Sequence, residues 1–151
     1  MIRDRKDQGI GSAAPVGAGL VVAPLGIFGP QRGDPDDLDR ERLLPLMDRL
    51  GPEIRGLVAG YLRSGTDILA WMAYTEDVIG NEFGVSGGLA VHTDGVYYWR
   101  RDAADYIDYY GIEIPHECIQ HVRRSNWKAN TLSRQDVDQI DAFLYGKPCK
   151  P

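Results

Sequence analysis

GGLAVHTDGVYYWRRDAADYIDYYGIEIPHECIQHV, from Gly87 to Val122, reads as strand, tight turn, strand, helix, turn, helix. Leu89, Ala90 and Val91 lead into His92-Thr93-Asp94-Gly95, and Val96-Tyr97-Tyr98-Trp99 follow. Asp-Gly between two β-prone runs is the strongest short hairpin signal, because Gly95 accepts the positive φ that the turn demands. Alternation sets Tyr97 and Trp99 on one face and Val96 and Tyr98 on the other. Both faces carry apolar bulk, so the hairpin is expected to be covered on at least one side. Gly87 and Gly88 signal a bend or a close backbone approach where the strand begins.

A helix follows directly. Asp102 fits its N-cap, and Asp105 sits in the first turn, where the helix dipole favours a carboxylate. Ala103, Tyr106, Ile107 and Tyr110 obey the i, i+3, i+4, i+7 rule and predict a buried stripe. Asp102, Asp105, Asp108 and Tyr109 fall on the other side. Gly111 ends the helix as a C′ residue does, and Pro115 is expected to open the next helix at its first position. On that helix Cys118, Ile119 and Val122 point inward.

Outward from this stretch, Ile54, Leu57, Val58, Tyr61 and Leu62 predict an amphipathic helix between the Gly51-Pro52 boundary and Gly65. Gly56 and Gly60 predict another element packed closely against that helix. Asp67 to Tyr74 is apolar nearly all round and reads as a short buried helix, with a strand as the alternative. Leu43, Leu46, Met47 and Leu50 have helical spacing that Pro45 interrupts. Ser133, with Asp136 three residues on, caps a last helix whose buried side is Val137, Ile140 and Leu144. The expected fold is α+β, a small antiparallel hairpin or sheet packed against several short helices. Residues 1–34 are expected to form a flexible Gly/Ala/Pro-rich arm, residues 35–146 a single domain, and residues 147–151 a frayed tail. Within the arm, Leu20 to Ile27 could instead dock as an extended strand or bind a partner.

Charge and composition narrow the function classes. The chain has 22 acids and 17 bases, a net charge of -5, which argues against general nucleic-acid binding. No stretch is long enough to cross a membrane without Pro or Gly breaks. Two cysteines, Cys118 and Cys149, are too few for a disulfide scaffold and read as free thiols of a reducing, cytoplasmic compartment. No phosphate-binding loop and no other cofactor motif is present.

Three constellations could carry chemistry. His116-Glu117-Cys118-Ile119-Gln120-His121 has the form H-E-x-x-x-H. A zinc hydrolase needs two histidines on one helical face with a glutamate beside them. At i, i+5 they lie roughly 140° apart, and only an inserted π-type turn brings them together. His92 with Asp94 suggests an acid–base pair, but the turn intervenes. Cys118 with His121 has the spacing of a thiol–imidazole pair, yet nothing marks an oxyanion site. Arg123, Arg124, Trp127, Lys128 and Arg134 form a small basic patch that reads as a solvated face.

The charge pattern says more. From Gly65 to Val122 there are ten acids and only two bases, Arg100 and Arg101. Such a field steers and binds basic partners. An exposed tyrosine inside an acidic face is the composition of an interaction hot spot, so Asp102, Asp105, Asp108 and Tyr109 are the expected partner-binding residues.

The order Tyr61-Leu62-Arg63-Ser64-Gly65, Asp77-Val78-Ile79, Gly87-Gly88, Thr93-Asp94-Gly95, Tyr98-Trp99-Arg100, Asp105-Tyr106-Ile107, Tyr110-Gly111-Ile112 and Ile114-Pro115-His116-Glu117 resembles a group of small bacterial proteins. They recur in actinobacteria and often sit near secreted polymorphic toxins. The group looks like immunity proteins, which bind and block a cognate toxin. The resemblance covers Pro52 to Leu144 and implies a non-catalytic protein with a basic toxin as partner and no cofactor. The alternative from the residues alone is a small metal-dependent hydrolase using His116, Glu117 and His121.

Overall fold

Gly95 has φ +95°, and around that turn β5 (Val91–Thr93) pairs antiparallel with β6 (Tyr97–Arg100). The hairpin is the centre of a computed structural model that describes residues 21–29, 38–69 and 73–145. The fold is α+β, as the sequence predicts. A four-stranded sheet has the order β1-β6-β5-β2, with β1 at Ala23–Pro24 and β2 at Thr66–Leu69. β1 runs parallel to β6, and β2 runs antiparallel to β5 with Asp67 opposite His92. A second, two-stranded sheet joins β3 (Thr75–Glu76) to β4 (Gly84–Val85). The helices are α1 (Arg40–Leu43), α2 (Pro52–Arg63), α3 (Ala103–Tyr110), α4 (His116–Arg124) and α5 (Arg134–Tyr145).

The hairpin is covered on both faces. Directly opposed residues of an antiparallel pair share a face, so Trp99 and His92 lie on one side and Tyr98 and Thr93 on the other. Val91 and Tyr98 pack with Val22 and with Ile140 and Leu144 of α5. Trp99 belongs to the larger core, with Val58 and Leu62 of α2, Tyr106 and Ile107 of α3, and Cys118 and Val122 of α4. The Trp99 indole donates to the Leu62 carbonyl at 3.1 Å, which satisfies the one polar atom that its burial would strand. The stripe Ala103, Tyr106, Ile107 and Tyr110 is buried as expected, and Gly111 caps α3 in the left-handed region. Ser133 caps the last helix by accepting the Asp136 amide at 3.0 Å. Gly88 meets Thr75 so closely that a Cβ would lie 1.8 Å from its Oγ1.

Several expectations change. Thr66–Leu69 is a strand, not the start of a buried helix, because it supplies the second pairing partner that β5 needs. Ala70 to Met72 lie outside the described residues, and Ala73 and Tyr74 are exposed and non-helical. Residues 21–29, within the expected arm, are packed on the domain. Val22, Leu25 and Phe28 are buried, and the amides of Ala23 and Leu25 bond to the Val96 and Tyr98 carbonyls at 2.9 and 3.0 Å. This is the docked strand that the Leu20–Ile27 alternative described. Residues 1–20, 30–37 and 146–151, including the rest of the arm and the tail, lie outside the described residues. Among the described residues nothing packs on Gly56 or Gly60, and Leu57 is 44% exposed. Pro115 stands at the N-cap of α4, one position before the helix.

Candidate functional site

The face formed by α3 and the loop 77–83 is built from a single buried carboxylate. Asp77 follows β3 and is 4% exposed. It accepts the backbone N–H groups of Ile79 at 2.8 Å, Gly80 at 3.4 Å and Glu82 at 2.8 Å, together with the Tyr110 hydroxyl. An aspartate that satisfies successive amides in this way replaces the backbone pairing a loop otherwise lacks. Burial alone raises the Asp77 carboxyl, but these four hydrogen bonds outweigh it and hold its pKa below the ordinary value. Burial, and then the bond to Asp77, push Tyr110 up. The Val78 amide donates to the Tyr106 hydroxyl at 2.9 Å, and burial lifts Tyr106 to about 12. Arg40 adds a third tie, from Nε to the Ile79 carbonyl at 3.3 Å.

The outer side of the same loop is open. Val78 is 39% exposed, Glu82 is exposed and Tyr109 is 53% exposed. The Glu82 carboxylate raises the pKa of the Tyr109 hydroxyl. Phe83 and Tyr110 stand across the Tyr109 ring, with centroids at 5.9 and 4.8 Å and interplanar angles of 65° and 79°. One turn back, Asp105 lies 3.2 Å and Asp108 3.6 Å from the Arg63 guanidinium of α2. Tyr109 therefore sits on an ordered support beside three carboxylates.

Asp102 does not belong to this face. It is 1% exposed, and its carboxylate takes a two-pronged ion pair from Arg100, Nε to Oδ1 at 2.7 Å and Nη2 to Oδ2 at 2.8 Å. The Thr75 hydroxyl also donates to it at 2.9 Å. Asp102 precedes α3 with helical backbone angles, but its side chain turns inward instead of joining Asp105 and Asp108. Arg100 is buried two residues earlier, and a buried guanidinium requires a partner. Asp102 supplies it, and its side chain makes no capping bond.

A second buried carboxylate organises the hairpin turn. Asp94 accepts the Val96 and Tyr97 amides at 2.9 and 2.8 Å across the hairpin turn. It also accepts the Tyr61 hydroxyl of α2 and His121 Nε2 of α4, the latter at 2.8 Å. Burial raises this carboxyl, but the bonds from His121, Tyr61 and the two amides outweigh it and hold the pKa below the ordinary value. Asp94 is therefore the partner of His121, and His92 instead lies 3.0 Å from Asp67. Burial pushes the His92 pKa down against the pull of Asp67.

This arrangement also bears on the H-E-x-x-x-H motif. α4 is regular α-helix from His116 to Arg124, so no π-type turn aligns the two histidines. His116 and Glu117 are exposed, while the Nε2 of His121 is engaged by Asp94. Among the described residues no group of three or more His, Cys, Asp or Glu is placed to hold a metal. Cys118 is 1% exposed and burial pushes its thiol up to about 12, the opposite of an activated nucleophile. No helix among the described residues is long and apolar enough to cross a membrane.

The roles of Asp77 and Glu82 were not singled out from the sequence. Asp77 meets Tyr110 across 33 residues, and no local spacing announces such a contact. The local signal was legible all the same, since Asp77-Val78-Ile79-Gly80-Asn81 has an aspartate ahead of Gly and Asn, the composition of a side-chain-capped turn. Asn81 does take positive φ, at 54°. No protein-family model matches the chain, and no curated protein or solved structure is significantly similar to it.

Proposed function

We propose that this chain is a non-catalytic interaction protein of the immunity type, which binds and neutralises a basic toxin in the cytoplasm. The binding face is Asp105, Asp108 and Tyr109, extended by the exposed side of loop 77–83. The observation that supports this most is Tyr109. It is half in solvent on a helix whose buried stripe is already complete, and two aromatic rings stand across it. A rigid, amphipathic side chain of that kind loses little conformational entropy on binding, which is why tyrosines concentrate at hot spots. The surrounding acids supply attraction and orientation for a basic partner. No cofactor enters this reading.

The test uses the protein encoded beside this gene. The two should form a stable complex whose association slows as salt rises. Asp105→Lys with Asp108→Lys should reduce mainly the association rate. Failure to form any complex, or unchanged binding by these variants, would remove the face. The basic patch at Arg123, Arg124 and Lys128 would then be the next surface to probe.

A further inference from the structure

We propose that His92 is a pH-sensitive latch, whose protonation releases the edge strand β2 from β5 while the rest of the domain stays folded. The observation behind it is a buried ring with nothing aligned to bond. The His92 side chain is 7% exposed, and among the described residues neither Nδ1 nor Nε2 has a hydrogen-bond partner. Asp67 Oδ1 comes within 3.0 Å of Nε2 but out of hydrogen-bond alignment, and the Asp67 side chain is 60% exposed. A neutral imidazole in such a place strands one N–H. A protonated one strands two and adds a charge, which costs far more.

The walls around the ring offer that charge little. Trp99 faces His92 from β6 and spends its one polar atom on the Leu62 carbonyl. Gly65, just before β2, packs on the His92 stem, where a Cβ would lie 3.3 Å from the His92 Cβ, and it brings no side chain. The charged groups acting on the ring are Asp67 from β2 and Arg101 just after β6, and they pull in opposite directions. Burial outweighs Asp67, so the closed latch holds the ring neutral. β2 is the wall that can yield. It lies at the edge of the sheet, spans four residues, and its register with β5 shifts between Asp67 and Leu69. β5 is held independently, by β6 along its other side and by Asp94 at the turn. Moving β2 away gives the ring to water, where its ordinary pKa of about 6.5 returns. The latch is therefore closed above about pH 6.5 and loosens as pH falls, because the open form takes up the proton first.

The experiment is amide hydrogen exchange on the full chain at about pH 7.5 and about pH 5, each rate divided by its intrinsic rate at that pH. Protection of the amides of Thr66–Leu69 should fall by about tenfold or more at the lower pH, while that of Tyr97–Arg100 should change little. His92→Gln and His92→Leu should each make the protection of β2 the same at both pH values. An equal loss in β2 and β6 would mean global destabilisation and overturns the latch. So does unchanged protection of β2, or a lack of protection there already at the higher pH. A loss in β2 that persists in both His92 variants also overturns it, since another group would then be taking up the proton.

Discussion

Asp77 and Asp94 perform the same local task in opposite settings. Each is a buried aspartate that gathers backbone amides from the turn after it and a tyrosine hydroxyl from a helix 33 residues away in sequence. At Asp94 the side-chain partners face inward. Tyr61 is 1% exposed, His121 is one-fifth exposed, and the carboxylate closes the hairpin turn onto α2 and α4. At Asp77 the inner side is equally closed, but the loop it fixes carries Val78, Glu82 and the support of Tyr109 into solvent. The first device locks the fold and the second presents a surface. A buried carboxylate held below its usual pKa is therefore no sign of chemistry by itself, since both sites have one.

Mutation should separate the two settings. Asp94→Ala strands the Tyr61 hydroxyl and His121 in the interior and unpairs two turn amides, and should cost about 3–5 kcal/mol in urea unfolding. Asp77→Ala unpairs as many groups, but water can reach the loop, so about 1–3 kcal/mol is expected. Its larger effect should be local, with faster hydrogen exchange at Ile79 and Glu82 and weaker partner binding although Tyr109 is intact. If Asp77→Ala proves the costlier of the two, the division between lock and platform is wrong.

Acid should act in two steps. The His92 pKa is depressed, so its contribution is complete above the unfolded-state value of about 6.5 and declines as pH falls below it, where the unfolded chain takes up the proton first. Asp77 and Asp94 are depressed too, so their contributions are complete above about pH 4 and are lost as pH falls through their folded values. A melting-temperature series should show a shallow decline below about pH 6.5 and a steep one below about pH 4. His92→Gln should flatten only the first. The smallest effect belongs to α2. Gly56 and Gly60 leave open space where a Cβ would go, so Gly56→Ala and Gly60→Ala should each stabilise the helix by about 0.5–1 kcal/mol. A loss of stability would mean that those glycines serve a contact outside the described residues.

How much was legible in the sequence follows the range of the forces involved. The hairpin, α3, the Gly111 cap and the Ser133 cap depend on turn chemistry and periodicity within a few residues, and all were readable. The Thr66–Leu69 strand was not, because its conformation is set by pairing with β5 more than twenty residues on. The Val22–Phe28 segment was missed as the main reading for a related reason. Its Gly/Ala/Pro composition argues for a loose arm, and only the docking of Leu25 and Phe28 into the core decides otherwise. At the candidate site, Asp105, Asp108 and Tyr109 fall on the outer side by helical geometry alone. Asp102 looked equivalent to them, since its commitment to Arg100 depends on Arg100 being buried.

The most direct test of the account is the affinity of the neighbouring gene's product for Tyr109→Ala, measured beside the wild type in a salt series. Truncating a hot-spot tyrosine at the centre of an interface should weaken binding by about thirtyfold or more. The wild-type affinity should fall with salt, and the variant should melt at the wild-type temperature. Unchanged affinity in Tyr109→Ala, with the complex intact, would contradict the account and move the interface off this face.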